Sequence, residues 1–175
     1  VLSDVLLSER RNNFLVSLAE GVGGAMALAA ADVSTGELLV VQVEPTVLEA
    51  ELARLEPAEL LLPASWEGRR IPGSDGVSLT HRPDWLFDPA IAADELRRRF
   101  RVHTLDGFGF EDGDDALVAA AGALVAYLAE VQPQASEHLR PPRIERPGVG
   151  MALDEMTRRN LELVEPLRPD LAGRI

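Results

Sequence analysis

The sequence contains no cysteine and no lysine. The missing cysteines exclude a disulfide framework, a thiolate zinc site and a cysteine nucleophile. Without lysine, the glycine-rich segment 21–24 cannot be a phosphate-binding loop, because that loop ends in Lys followed by Ser or Thr. No apolar run reaches the roughly 18 residues of a membrane-spanning helix, so we predict no membrane partner.

Basic charge is scarce as well. The formal net charge is −12 and the isoelectric point is near 4.6. DNA-binding proteins usually carry a basic stripe that neutralises phosphates. The one dense basic run, 97–101, is predicted to end a helix, where arginines interact favourably with the C-terminal dipole. We therefore predict that the chain does not bind DNA by itself.

The remaining composition is that of a globular protein, with 46% hydrophobic and 26% charged residues. A length of 175 residues suits one compact domain with a short appendage. The chain opens on Val1 rather than Met, and segment 1–4 lacks the basic and apolar stretches of a secretory signal. We expect a piece of a longer protein from a reducing cytoplasm.

Apolar periodicity predicts an α/β domain. The predicted strands cover residues 12–20, 25–33, 38–43, 58–62 and 77–80, and 102–105 is expected to be a brief strand or an extended segment. The predicted helices cover 46–56, 88–100, 114–132 and 153–167, with Thr46 and Asp88 as the expected caps of the first two. The first three strands are too close together for crossover helices, so they are expected to form an antiparallel meander. The following helix and strand then favour a mixed sheet flanked by helices.

Glycine and proline add two further expectations. Gly122 lies in an alanine-rich stretch of the long helix, and this low surface is expected to let the helix lie close to the sheet. Four prolines in segment 133–150 predict a linker that cannot be helical. The last helix, 153–167, is expected to belong to another structural unit.

No group of residues has the spacing of a catalytic or metal site. His81, His103 and His138 are too far apart for a zinc site, which usually places two ligands within a few residues. The opening strand is apolar where a two-metal nuclease of the RNase H-like fold would place its first carboxylate. Asp32 and Glu37 alone do not make such a site, and Asp32 is expected to cap the turn that follows it.

One segment carries a family resemblance. Residues 31–38 resemble the Asp-x-Ser-Thr-Gly-Glu segment of MutS connector domains, with the motif positions Asp32, Ser34, Thr35, Gly36 and Glu37. Five further segments resemble the family in the family's order: 6–13, 51–61, 85–88, 107–132 around Gly122, and 153–162, which includes Arg159 and Asn160. We expect these motif positions to be structural.

The resemblance implies an RNase H-like connector domain at 1–135, a proline-rich linker at 136–150 and the start of the lever region at 151–175. In such proteins the connector has a mechanical role: it lies between the mismatch-binding domain and the lever region and moves with them. It would also dock the partner MutL. By position, the docking residues would be Ala93, Asp94 and Glu95, although a simple solvated helix face is an equal alternative.

Any catalytic activity would then lie in other parts of the parent protein. The resemblance implies that ATP and Mg²⁺ bind outside these residues, that mismatched DNA is met only through the full-length chain, and that the parent is a bacterial cytoplasmic ATPase associated with the nucleoid. We expect no catalytic residue, cofactor or metal in this chain. The alternatives left open are a metal-dependent RNase H-like nuclease and a nucleic-acid-binding module.

Overall fold

A computed structural model describes residues 13–146. Its centre is a six-stranded sheet in the order β5-β4-β1-β2-β3-β6. The strands are β1 Phe14–Glu20, β2 Met26–Asp32, β3 Leu38–Val43, β4 Glu59–Pro63, β5 Ser78–Arg82 and β6 Arg143–Glu145. Strand β2 runs antiparallel to both neighbours and every other pairing is parallel. The predicted meander and mixed sheet are confirmed.

Four α-helices flank the sheet: α1 Pro45–Leu55, α2 Pro89–Phe100, α3 Asp115–Val131 and α4 Pro133–Glu137. Helix α1 covers one face through the buried side chains of Leu48, Leu52 and Leu55. Helices α2 and α3 cover the other face. Within residues 13–146, no helix is long and apolar enough to cross a membrane.

Alternation along β1 divides the interior into two cores. Phe14, Val16 and Leu18 point toward α1 and belong to one cluster of buried side chains. Leu15 and Ala19 belong to the other cluster, beneath α3. Successive side chains of a strand point to opposite faces, so a strand covered on both sides is apolar at nearly every position.

Gly122 has a different neighbour from the one predicted. A Cβ atom at this position would lie 2.6 Å from the Cα atom of Ala92, which belongs to α2. The small residue therefore permits a close approach between two helices, not between a helix and the sheet. Sequence spacing along α3 gave no information about which element would lie above it.

The prediction that segment 133–150 cannot be helical is wrong. Its described part contains α4 and the strand β6, which pairs with Leu39–Val41 of β3. Pro133 is compatible with the helix because it occupies the first turn, where its missing N–H is not needed. Of the predicted linker 136–150, residues 136–146 thus contain regular structure, and 147–150 lie outside the described residues.

Smaller expectations also differ. Thr46 does not cap α1: the N-cap is Glu44, whose side chain makes no capping hydrogen bond. Segment 102–105, expected as a strand or extended segment, contains no strand. Asp88 does cap α2, as predicted, by accepting a hydrogen bond from the backbone N–H of Ile91 at 3.2 Å. The family-like segment 6–12 and the predicted lever helix lie outside the described residues.

Candidate docking helix and exit segment

Helix α2 presents one polar face to solvent. Ala92 and Leu96 are buried against α3, and this fixes the opposite side outward. Ile91, Asp94 and Arg98 follow the three- and four-residue spacing that places side chains on one helix face. All three are exposed. A stripe of accessible side chains therefore runs along α2.

The predicted docking residues are not equally accessible. The side chain of Asp94 is 71% exposed, whereas that of Glu95 is only 19% exposed. Ala93 is half-buried and packs against the core beneath α3. Of the three, Asp94 is the one that a partner could reach without rearrangement.

The two acids are also paired. Asp94 accepts a hydrogen bond from Arg97, and Glu95 accepts one from Arg98. Each pair spans three residues of α2, the spacing at which helix side chains meet. Exposed pairs of this kind contribute about 0–1 kcal/mol to stability. The surface is thus a row of ion pairs, not an acidic patch.

Sequence reasoning missed an exposed aromatic residue in the 3-10 helix that precedes α2. Trp85 is 59% exposed, although Phe87, two residues later, is buried. Both lie in the 3-10 helix Asp84–Phe87, which is held to the sheet edge because the Asp84 carboxylate accepts the backbone N–H of Ser65 at 2.9 Å. Trp is among the residues that dominate binding energy in protein interfaces. The available signal was the W-x-F segment itself.

The motif at 32–37 forms a closed turn between β2 and β3. The buried Asp32 carboxylate accepts hydrogen bonds from the backbone N–H of Ser34 at 3.0 Å and from its hydroxyl at 2.6 Å. The hydroxyl of Thr35 accepts the backbone N–H of Glu37 at 3.2 Å. These contacts confirm that Asp32 caps the turn through its Oδ1 atom.

The part of the chain described by the structure contains no group of three or more His, Asp or Glu side chains that could hold a metal ion. A crevice of about 710 Å³ does open where β1 and β4 end. Three of the four carboxylates that line it have other partners: Glu20 pairs with Arg69, Asp114 pairs with Arg146, and Asp84 accepts the backbone N–H of Ser65. The crevice therefore does not resemble the converging carboxylates of a two-metal nuclease.

Gly36 lies in direct contact with residues 136–146, the last described segment of the chain, which contains β6. We call residues 136–146 the exit segment. A Cβ atom on Gly36 would lie 3.3 Å from the carbonyl carbon of His138, and closer still to its oxygen. The backbone N–H of Arg140 donates to the Gly36 carbonyl at 2.8 Å. The motif glycine thus lets the exit segment cross the β2–β3 turn in direct contact.

Two arginines fasten the exit segment. Arg99 of α2 donates from Nε to the carbonyl of Ser136 at 2.6 Å and from Nη2 to that of Leu139 at 3.4 Å. At the other end, Arg146 donates to both carboxylate oxygens of Asp114, at 2.7 and 2.8 Å. Arg146 also donates to the Gly109 carbonyl at 2.6 Å. The exit segment therefore joins α2 to the N-terminus of α3.

The pairing with Arg146 perturbs Asp114. Burial by itself raises the pKa of this carboxyl. The hydrogen bonds from Arg146 and from the backbone N–H of Glu111, with the attraction of the guanidinium, outweigh burial, and the pKa lies below its usual value. The same hydrogen bond, which Arg146 donates to Asp114, raises the pKa of Arg146. Both groups are charged at neutral pH.

Comparison with known proteins agrees with this architecture. The family model described as MutS domain II matches residues 13–140. The chain is 41% identical over 169 residues to "DNA mismatch repair protein MutS" of Synechococcus sp. (strain RCC307), an alignment that covers 96% of this chain and 19% of that protein. It is 42% identical over 162 residues to the protein of the same name from Paracoccus denitrificans (strain Pd 1222), covering 93% of this chain and 18% of that protein.

The chain spans about a fifth of the length of these relatives. The family match covers both the Asp32–Glu37 turn and the α2 surface, and it ends within the exit segment. The six-stranded α/β sheet is consistent with the RNase H-like fold that the resemblance implied. From its sequence and its fold together, the chain belongs to the MutS domain II family as a connector-domain segment.

Proposed function

We propose that this chain is the non-catalytic connector of a longer mismatch repair protein, and that it docks MutL through the outward face of α2. The observation that supports docking is the exposed stripe of Ile91, Asp94 and Arg98 on α2, together with the exposed Trp85 in the 3-10 helix that immediately precedes α2. An accessible aromatic residue flanked by polar and charged side chains has the composition of a transient protein interface. On this proposal the chain transmits conformational change between the domains on either side.

ATP, Mg²⁺ and mismatched DNA would be bound by the rest of the parent protein, in the bacterial cytoplasm at the nucleoid. The contacts of Asp32 argue against the nuclease alternative, because the turn engages its Oδ1 atom. The charge of −12 argues against an independent nucleic-acid-binding module. No observation in residues 13–146 favours either alternative over the connector.

The docking proposal can be tested by exchanging the charges of one exposed ion pair. The double variant Asp94→Arg with Arg97→Glu keeps the net charge and the three-residue spacing but reverses the polarity of the surface. We expect the affinity for the N-terminal region of MutL, measured by titration calorimetry, to fall about tenfold, which is about 1.4 kcal/mol. Trp85→Ala is expected to weaken binding at least as much.

The matched control is the ion pair between Glu51 and Arg54, which also spans three residues but lies on α1, on the other face of the sheet. Its exchange, Glu51→Arg with Arg54→Glu, is expected to leave MutL binding unchanged. If the α2 exchange and Trp85→Ala both bind MutL as tightly as the control, docking is not on this surface. Metal-dependent cleavage of DNA or of an RNA–DNA hybrid that Asp32→Asn abolishes would overturn the non-catalytic proposal.

A further inference from the structure

The exit segment has polar attachments near both of its ends. Its backbone contacts Gly36, forms three residue pairs between β6 and β3, and accepts hydrogen bonds from Arg99, while its own Arg146 donates to Asp114. Leu139 and Pro142 are its two buried apolar side chains, and Ile144 is half-buried. Segments with few buried apolar contacts open locally at a lower free energy than the core.

One end of the exit segment is fastened to the proposed docking helix. Arg98 and Arg99 are adjacent on α2, but Arg98 points to solvent, with its side chain 73% exposed, while Arg99 reaches two carbonyls of the exit segment. Any displacement of α2 relative to the sheet must move the guanidinium of Arg99 away from these acceptors. The position of α2 and the attachment of the exit segment are therefore not independent.

The other end is fastened to α3. Arg146 holds Asp114, the N-cap residue of α3, together with the carbonyl of Gly109. Helix α3 in turn packs tightly on α2 at Gly122 and Ala92. Each of α2, the exit segment and α3 therefore contacts the other two. Loss of either arginine contact separates the exit segment from one of the two helices.

We infer that residues 136–146 form a releasable strap that couples the outward face of α2 to the chain that follows Arg146. In the attached state, Arg99 and Arg146 hold the strap; in the released state, β6 leaves β3 while the other five strands stay paired. A ligand that stabilises α2 in its present position would favour the attached state. By linkage, pulling on the chain beyond Arg146 would weaken that ligand's binding to the same extent. The identity of the ligand as MutL rests on the proposed function, but the coupling within the chain does not.

The first experiment measures amide hydrogen exchange in the 175-residue chain by mass spectrometry. In Arg99→Ala we expect exchange at residues 139–145 to be about tenfold faster, with no change in β1, β2 and α1, because only the strap's local opening is affected. Arg98→Ala is the control, since it removes an arginine from the next position of α2 without touching the strap. Equal exchange in the two variants would overturn the inference. So would faster exchange throughout the sheet, because the strap would then not be a separate unit.

The second experiment tests coupling between the ends. Arg146→Ala is expected to accelerate exchange at the C-terminal turn of α2 as well as in the strap, whereas Arg143→Ala, on the exposed side of β6, is expected to change neither. If Arg146→Ala leaves α2 unchanged, the two ends are not coupled and the inference fails. Addition of the MutL N-terminal region should slow exchange of the strap in the unmodified chain but not in Arg99→Ala. Absence of any MutL effect would count against docking alone, because the first two comparisons contain no MutL.

Discussion

Gly122 of α3 lies directly against Ala92 of α2, so that a Cβ atom on the glycine would come within 2.6 Å of the Cα atom of Ala92. Real Cβ atoms do not approach a backbone carbon this closely, and a backbone atom cannot turn aside as a flexible side chain can. The contact sets the spacing between α2 and α3. Substitution of Gly122 must therefore displace α2.

Gly122→Ala is predicted to destabilise the domain even though alanine favours helices. Overpacking a close contact costs about 1–3 kcal/mol, while alanine in place of glycine within a helix contributes about 1 kcal/mol in the other direction. We expect the free energy of unfolding in urea to fall by up to about 2 kcal/mol. Ala129→Gly, at an exposed position of the same helix, measures the helix propensity alone. A Gly122→Ala protein more stable than the unmodified chain would show that α2 can move aside freely.

Gly36→Ala is predicted to be more damaging than a substitution at an unconstrained glycine. Gly36 has a φ of +84° and lies against the His138 backbone, whereas Gly23 has a φ of +74° with nothing within 4 Å. The left-handed backbone alone costs an alanine about 1–2 kcal/mol, and Gly23→Ala should show that cost in urea unfolding. At Gly36 we expect a larger loss, together with faster amide exchange in the exit segment. Equal losses at the two positions would mean that the contact with His138 contributes nothing.

The sequence predicted the framework because that information is local. Short, nearly continuous runs of apolar residues located β1 to β4, and Asp88 followed by Pro89 located the start of α2. The exit segment could not be predicted in this way. The acceptors of Arg99 are backbone carbonyls, the nearer of them 37 residues away, and a backbone carbonyl has no sequence signature. Arg146 and Asp114 are 32 residues apart, and nothing in their neighbours indicates the pairing.

The position proposed for docking came from the family resemblance, which indicated Ala93, Asp94 and Glu95 on α2. Both arginines that pair with the two acids were visible three residues later in the sequence. The burial of Glu95 was not visible, because it depends on how α2 packs against its neighbours in the folded domain. The exposure of Trp85 runs against the usual expectation for a large aromatic residue, and only the folded arrangement reveals it.

Ser17→Ala is predicted to stabilise the domain. Ser17 lies at the centre of β1 and is fully buried, and its hydroxyl has no hydrogen-bond partner within the described residues. A buried polar group without a partner costs about 1–3 kcal/mol, and alanine removes the hydroxyl with little change in volume. We expect the free energy of unfolding to rise by about 1 kcal/mol in urea denaturation. Ser34→Ala, which removes a hydroxyl bonded to Asp32, should lower it by a similar amount.

The ion pair between Asp114 and Arg146 is predicted to make stability depend on pH. The pKa of Asp114 is lower in the folded chain than its usual value of 3.8. The folded state therefore binds this proton less readily than the unfolded state, so the contribution of Asp114 to stability is fully present above pH 3.8 and is lost as the pH falls through the lower folded value.

We expect Asp114→Asn to be less stable than the unmodified chain at pH 7 by about 1 kcal/mol, allowing for the partial exposure of Arg146. The difference should shrink when unfolding is measured near pH 3, because the unmodified carboxyl is then becoming protonated too. Asp112→Asn, at an exposed position of the same loop, controls for the loss of one negative charge. A stability difference for Asp114→Asn that is the same at both pH values, or that Asp112→Asn reproduces, would show that the pKa of Asp114 is not lowered in the folded chain.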